Sequence, residues 1–370
     1  MVAAARGGEV PDPRGDGADA AGAAGGAGVV NPPLAILSTG LVTSVGLSAP
    51  ASCAAMRAKV TNPSQTRFMD SEGEWIMAHQ VMLEQPWRGL EKLVRMATMA
   101  AEEALIGVPK DEWSGIPMLL CVAERERPGR MDGLDGRIFE DICQALGSTF
   151  AAESAIVPHG RVAVAMALSK ARELVWQQGF AHVLVVAVDS LLNGPTLDRF
   201  ERQDRLLTGV NSDGFMPGEG AGALLVGRPV KSSPCLTCIG IGLAMEEATQ
   251  GSDKPLRADG LKQAIELALA EAGREMHQMD FRVTDLSGEQ YGFKDATLAL
   301  SRTLRQRKDE FDTWHPAECT GEVGAAVGVA ALALADEGSR KGYAQGATIL
   351  AHMADDFGSR AALVLHFGAS

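Results

Sequence analysis

Apolar residues in this chain fall into short continuous runs, each bounded by glycine, proline or a polar cluster. The runs Leu34–Leu37, Ile116–Val122, His182–Val188, Ala223–Val226, Leu236–Leu243, Ala347–Met353 and Arg360–Phe367 have strand length and no polar face, which predicts buried strands. Glu153–Val157 and Phe281–Leu286 read as briefer strands, and Gln65–Leu83 as a strand pair turning at Asp70–Gly73. Between the runs lie segments of helical spacing. Pro50–Val60 is stopped by Asn62-Pro63, and Gly89–Leu105 places Leu90, Leu93, Val94, Ala97 and Ala101 on one face. Ile138–Leu146, Gly160–Gly179 and Leu261–Ala272 follow, the last ended by Gly273. Ala296–Arg307 reads as a helix with a basic tail, and Ala325–Ala335 as one buried on most sides.

The segment from His159 to Val226 organises the rest. A glycine-started helix leads to a strand ending in Asp189-Ser190, a polar connection follows, and Asn211-Ser-Asp-Gly-Phe-Met-Pro-Gly-Glu-Gly-Ala-Gly222 returns into another strand. This is a βαβ-like pattern. Arg228-Pro229 and Ser232-Ser-Pro234 mark a joint, so residues 31–230 and 231–370 are expected to form two halves, each of strands with interleaved helices. Residues 1–30, rich in Ala, Gly and Asp, are expected to be a disordered leader.

Composition narrows the function classes. With 370 residues, 46% of them hydrophobic, the chain can bury a large core. A net charge of −13 without a basic stripe argues against a nucleic-acid partner. No apolar run reaches the ~18 residues of a membrane span, and the N-terminus lacks the charge and apolar core of a signal peptide. A cytoplasmic protein is expected. The six cysteines are scattered, and Cys235-Leu-Thr-Cys238 has no second pair to complete a zinc site, so neither metal nor cofactor is expected. His315, His352 and His366 show no metal-ligand spacing.

Three segments resemble the β-ketoacyl synthases of the thiolase fold. Gly40-Leu-Val-Thr-Ser-Val-Gly46 is similar to that family's opening turn, and Val183–Ser190 to the strand after its nucleophile helix. The Asn211–Gly222 motif resembles its glycine-rich return, in which the counterparts of Asp213 and Glu219 are architectural. The resemblance implies an α/β thiolase-like fold, two similar halves packed as α/β/α/β/α layers, and a homodimer. It also puts the loop Asp355–Ser359 near the active site.

It does not bring the family's chemistry with it. Ketosynthases carry a cysteine at a strand-to-helix elbow, where the helix N-terminus lowers its pKa. The corresponding segment here, Val157-Pro-His-Gly-Arg-Val162, has no Cys, Ser or Thr. The family's first histidine loop is matched by Thr284–Glu289, without a histidine, and Glu322 stands where the second histidine would be. A family lysine is missing near Ala317-Glu318. His159, Cys319 and Glu322 are the residues that the family geometry would gather into a substrate-binding cluster, although a turn histidine and a structural thiol are the plainer readings of the first two. Arg161 or Met166 could fill the pocket.

Two functions therefore compete. One is a catalytically degenerate ketosynthase-like homodimer acting through binding or scaffolding, for instance as an accessory adaptor to a protein partner in a secretion-related cluster. The other is an active acyl-thioester enzyme, an acyltransferase or decarboxylase of 3-oxoacyl carrier-protein synthase type, working on acyl carrier protein or acyl-CoA with non-standard residues. Decarboxylation needs only enolate stabilisation. A pocket that binds an acyl group without chemistry is a third class.

Overall fold

The computed structural model describes residues 31–230 and 233–369. The expected leader, residues 1–30, lies outside them, as do Lys231 and Ser232 at the expected joint. The first series of elements is β1 (Leu34–Val42), α1 (Ala49–Arg57), β2 (Ser64–Met69), β3 (Trp75–Ala78), α2 (Gly89–Ala104), β4 (Met118–Cys121), α3 (Arg137–Leu146), β5 (Ala155–Val157), α4 (Ala163–Trp176), β6 (His182–Ser190), α5 (Gly194–Glu201) and β7 (Glu219–Gly227). The second is β8 (Cys235–Met245), α6 (Asp259–Ala272), β9 (Phe281–Thr284), α7 (Gln290–Thr303), β10 (Thr313–Trp314), α8 (Ala317–Thr320), α9 (Val327–Arg340), β11 (Thr348–Ala354) and β12 (Ser359–Gly368).

Ten strands share a sheet in the order β10-β9-β11-β12-β8-β1-β7-β6-β4-β5. The order is palindromic. Outward from the centre, β8 and β1 are followed by antiparallel β12 and β7, then antiparallel β11 and β6, then parallel β9 and β4, then parallel β10 and β5. Within this sheet, among the described residues, the strands of the two series pair where Leu34–Ile36 lie against Leu236–Cys238.

The two wings of the sheet enclose a common helical layer. Residues of α4 and α9 pack in one apolar cluster with strands of both wings: Val164, Leu168 and Leu332 meet Val185, Leu224, Val283 and Leu363. Being covered on both sides explains why α9 is apolar almost all round. Outside, α2 and α3 cover one wing and α6 and α7 the other. The result is the α/β/α/β/α layering of a thiolase-like fold. At roughly 1.5–3 kcal/mol per buried Val, Leu or Ile, this middle layer is the main apolar contribution to stability.

Besides the short β10 and α8, which the sequence reading lacked, three elements differ from it. The polar connection after Ser190 contains α5, started by Asn193, whose side chain accepts from Thr196 N, with Pro195 in its first turn. The helix predicted over 296–307 runs instead over Gln290–Thr303, so Arg305 and Arg307 lie beyond its end. Only Asp295, Ala296 and Ala299 of this helix are buried, too few to reveal its phase. Its start is held by Asp213, whose carboxylate accepts from Gln290 N at 2.7 Å. Finally, β7 begins at Glu219, so the glycine-rich motif itself enters the strand.

Among the described residues, no helix is long and apolar enough to cross a membrane.

Candidate functional site

The site lies where α4 and α9 begin. Each helix is entered through a short 3-10 turn, Gly160–Val162 for the first and Gly324–Ala326 for the second, and the two turns touch. Gly160 and Gly324 occupy the same left-handed conformation, with φ of 50° and 54°. Side chains are disfavoured there on backbone grounds alone.

Space excludes them too. A Cβ on Gly160 would lie 2.1 Å from Glu124 Oε2, and one on Gly324 would lie 2.1 Å from Asp189 Oδ2. Neither carboxylate is at liberty to move. Buried Arg127 donates to both oxygens of Glu124, at 2.9 and 2.6 Å, and to both oxygens of Asp189, at 2.8 and 2.7 Å. Asp189 also accepts from Ala325 N at 2.9 Å, and Glu322 accepts from Gly324 N at 2.9 Å. Gly160 N donates to Val122 O. These elbow amides, which an oxyanion would need, are already in use.

Arg161 spans the space between the elbows. Its guanidinium donates to Glu322 at 3.0 Å and to Asp356 at 2.6 Å, and its Nε lies 3.8 Å from Asp285. Thus the first elbow is tied to the second, to the segment after β9 and to the β11–β12 turn. Arg205 extends the network: it makes a two-pronged pair with Glu289, at 2.7 and 2.8 Å, and reaches Asp356 at 2.8 and 3.1 Å. Gln250 donates to Glu289 at 2.7 Å.

The space left is small. Between Arg127, Arg161, Arg205, Glu322 and Asp356 remains a cavity of about 20 Å³, room for about one water. Behind Arg161, beside Asp285 and His352, remains one of about 40 Å³. An open vestibule of about 410 Å³ lies outside, lined by Phe200, Arg205, Gln250, Asp356 and Phe357.

Burial and charge set the protonation states. Burial pushes the Asp285 carboxyl up to about 6, against the opposing pull of Arg161 and of the hydrogen bond from Ala354 N. Burial would also raise Asp356, but Arg161 and Arg205 overcome it and hold that carboxyl well below the usual range. His352 is lowered to about 3 by burial and stays neutral.

Of the three residues singled out from sequence, Glu322 lies in this network. His159 is buried at the head of the first elbow, with Val162 N donating to its carbonyl. Cys319 lies in a separate apolar cluster with Leu41, Cys53, Met56 and Leu334, and burial raises its thiol pKa. The fold does not bring Cys319 to the cavity between the elbows. Of the two candidate plugs, Arg161 fills the cleft, whereas Met166 packs in the middle apolar layer.

Asp213 and Glu219 are built in structurally. Glu219 accepts from Val81 N at 3.0 Å and from Ser190 Oγ at 3.0 Å, and pairs with Lys92. The sequence reading named the loops Thr284–Glu289 and Asp355–Ser359, which hold Asp285, Glu289 and Asp356, without singling out those residues, and it missed Glu124, Arg127 and Arg205. A usable signal lay in the opposite charges set in glycine-bearing connections at the C-terminal ends of strands, where α/β sheets gather their sites. Among the described residues, no group of His, Cys, Asp and Glu could hold a metal ion.

No family model matches the sequence, and neither does any curated protein. Solved structures do match. A ketosynthase described as bound to a hexaketide, in complex with its type II polyketide acyl carrier protein, shares 14% identity at a TM-score of 0.76, over 91% of this chain and 99% of that one. The ishigamide ketosynthase/chain length factor shares 18% at 0.73, over 91% and 99%. A β-ketoacyl synthase from Burkholderia phymatum shares 16% at 0.70, over 91% and 100%. The chain has the thiolase-like fold of the ketosynthases.

Proposed function

We propose that this chain is a ketosynthase-like subunit that no longer condenses acyl groups and acts through assembly, as a cytoplasmic homodimer that engages a further protein. Residues 31–230 and 231–370 are its two halves. One observation carries the reading: at the elbow where a nucleophile would stand, Gly160 faces the fixed carboxylate of Glu124, leaving no room for any side chain. The salt-bridged filling of the cleft supports it further.

The partner classes follow from the similar structures, which include a ketosynthase with its acyl carrier protein and one with a chain length factor. A carrier protein or a second thiolase-fold subunit fits this chain best. An accessory adaptor role in a secretion-related assembly is a narrower version of the same reading. An acyl-thioester enzyme using His159, Cys319 or Glu322 gains less support. Glu322 is occupied by Arg161 and Gly324 N, and the thiol of Cys319 is buried among apolar side chains.

Intact-protein mass after incubation with a panel of acyl-CoA and acyl-carrier thioesters tests the chemistry, and sedimentation analysis tests the assembly. The expected result is no adduct, no thioester loss and a dimer mass. An adduct or turnover abolished by Cys319→Ala or His159→Ala overturns the non-condensing reading, and a monomer overturns the homodimer.

A further inference from the structure

Among the described residues, Asp356 alone lines all three spaces of the cleft: both small cavities and the vestibule. Two guanidiniums from separate segments converge on it, with Arg161 and Arg205 Nη2 donating to Oδ1, and Arg205 Nη1 to Oδ2. Paired guanidinium donors aimed at both oxygens of a carboxylate are the arrangement by which proteins recognise organic acids.

We propose that Arg161 and Arg205 form a receptor for the carboxylate of a small organic acid. Asp356 occupies that receptor as an internal stand-in, and the acid's apolar body lies against Phe200 and Phe357 in the vestibule.

Four observations carry this. The receptor is set up without Asp356, because Glu322 orients Arg161 and Glu289 grips Arg205 through two hydrogen bonds. The position favours an anion: despite burial, Asp356 is held ionised by Arg161, Arg205 and, more distantly, Arg127.

The stand-in is also detachable. The β11–β12 turn is closed by Asp355 N donating to Ser359 O, and Glu246 N, just after β8, anchors it by donating to Gly358 O. Asp355 Oδ1 accepts from Phe357 N and Ser359 N. Asp356 can therefore swing out by side-chain rotation while the turn persists. Exchanging one carboxylate for another leaves the charge of the cleft unchanged, so the desolvation already present is not repeated. Lastly, the vestibule of about 410 Å³ is of small-ligand size, and combines Phe200, Phe357 and Pro128 with exposed Arg199 at its rim.

The inference does not depend on how the subunit assembles or on whether it turns over thioesters, so the two readings fail separately. The test uses the full chain and 4-fluorobenzoate, followed by fluorine NMR, with chloride and inorganic phosphate at matched ionic strength as comparison anions. The wild-type protein is expected to bind the probe saturably at millimolar concentration. Asp356→Asn, which keeps the shape and removes the competing charge, is expected to tighten binding about tenfold, because the receptor is no longer self-occupied. Arg205→Lys in the Asp356→Asn background keeps the charge but loses the fork, and is expected to reverse that gain. Circular dichroism establishes that each variant is folded. No saturable binding to the wild type, a probe affinity unchanged by Asp356→Asn, or equal binding of chloride or phosphate each overturns the proposal.

Discussion

Glu124 occupies the place where a side chain on Gly160 would begin, its Oε2 standing 2.1 Å from the position a Cβ would take. The carboxylate is the end of a flexible side chain, so the overlap would be easily relieved if Glu124 were free. It is not free, because Arg127 grips both its oxygens and is itself gripped by Asp189.

Placing a thiol at this elbow therefore should not confer ketosynthase activity. Gly160→Cys places a side chain in a left-handed conformation, costing roughly 1–2 kcal/mol, and disturbs a buried ion pair whose loss costs roughly 3–5 kcal/mol. The expected outcome is a protein several kcal/mol less stable in urea denaturation and unlabelled by acyl thioesters. Gly160→Cys with Glu124→Ala removes the overlap but leaves Arg127 one carboxylate short, and should remain below wild type.

Arg161 holds the cleft together across the two elbows. Arg161→Met leaves Glu322 and Asp356 without a shared cation and is expected to destabilise by roughly 3–5 kcal/mol. Combining it with Asp356→Asn should cost less than the sum of the two changes. A double-mutant cycle by urea denaturation reads that coupling, expected at roughly 0.5–3 kcal/mol.

Asp285 gives the protein a pH signature. Its folded pKa of about 6 lies above its ordinary value of 3.8, so the fold prefers the protonated form. Its contribution is fully present below pH 3.8 and is lost as pH rises to about 6. Asp285→Asn should thus gain stability relative to wild type across that interval, by roughly 1.4 kcal/mol for each pH unit crossed. Urea midpoints of the two proteins at several pH values check it: a difference that is constant from pH 4 to 7 contradicts the assignment.

All six cysteines are free, and five are buried. Burial pushes Cys53 up to about 12 and raises Cys121 and Cys319 as well. Cys143, the half-buried one, is pushed up to about 11 by burial and by Glu140. Native protein at pH 8 is expected to react slowly with iodoacetamide, first at Cys143, while denatured protein reacts at all six sites. Peptide mapping distinguishes the sites.

The sequence by itself determined most of the order of strands and helices, the division into two similar series, the glycine-rich motif and the absence of Cys, Ser and Thr from Val157–Val162. These are local properties. A continuous apolar run such as His182–Val188 has one way to escape water, and Val157–Val162 lacks a nucleophile whatever surrounds it. The tertiary structure alone decided which side chains fill the cleft between the elbows. Arg127 and Asp189 are 62 residues apart, Arg205 and Glu289 are 84, and Arg161 and Asp356 are 195. Apart from Asp189 near the end of β6, each of these residues sits in a turn or beside a helix end, where a charge reads as solvated surface. Only the folding of the two wings around α4 and α9 brings the loops together and withdraws these charges from bulk water far enough that each needs a partner of opposite charge. Side-chain periodicity reaches a few residues along the chain, whereas burial of a charge depends on everything that packs around it.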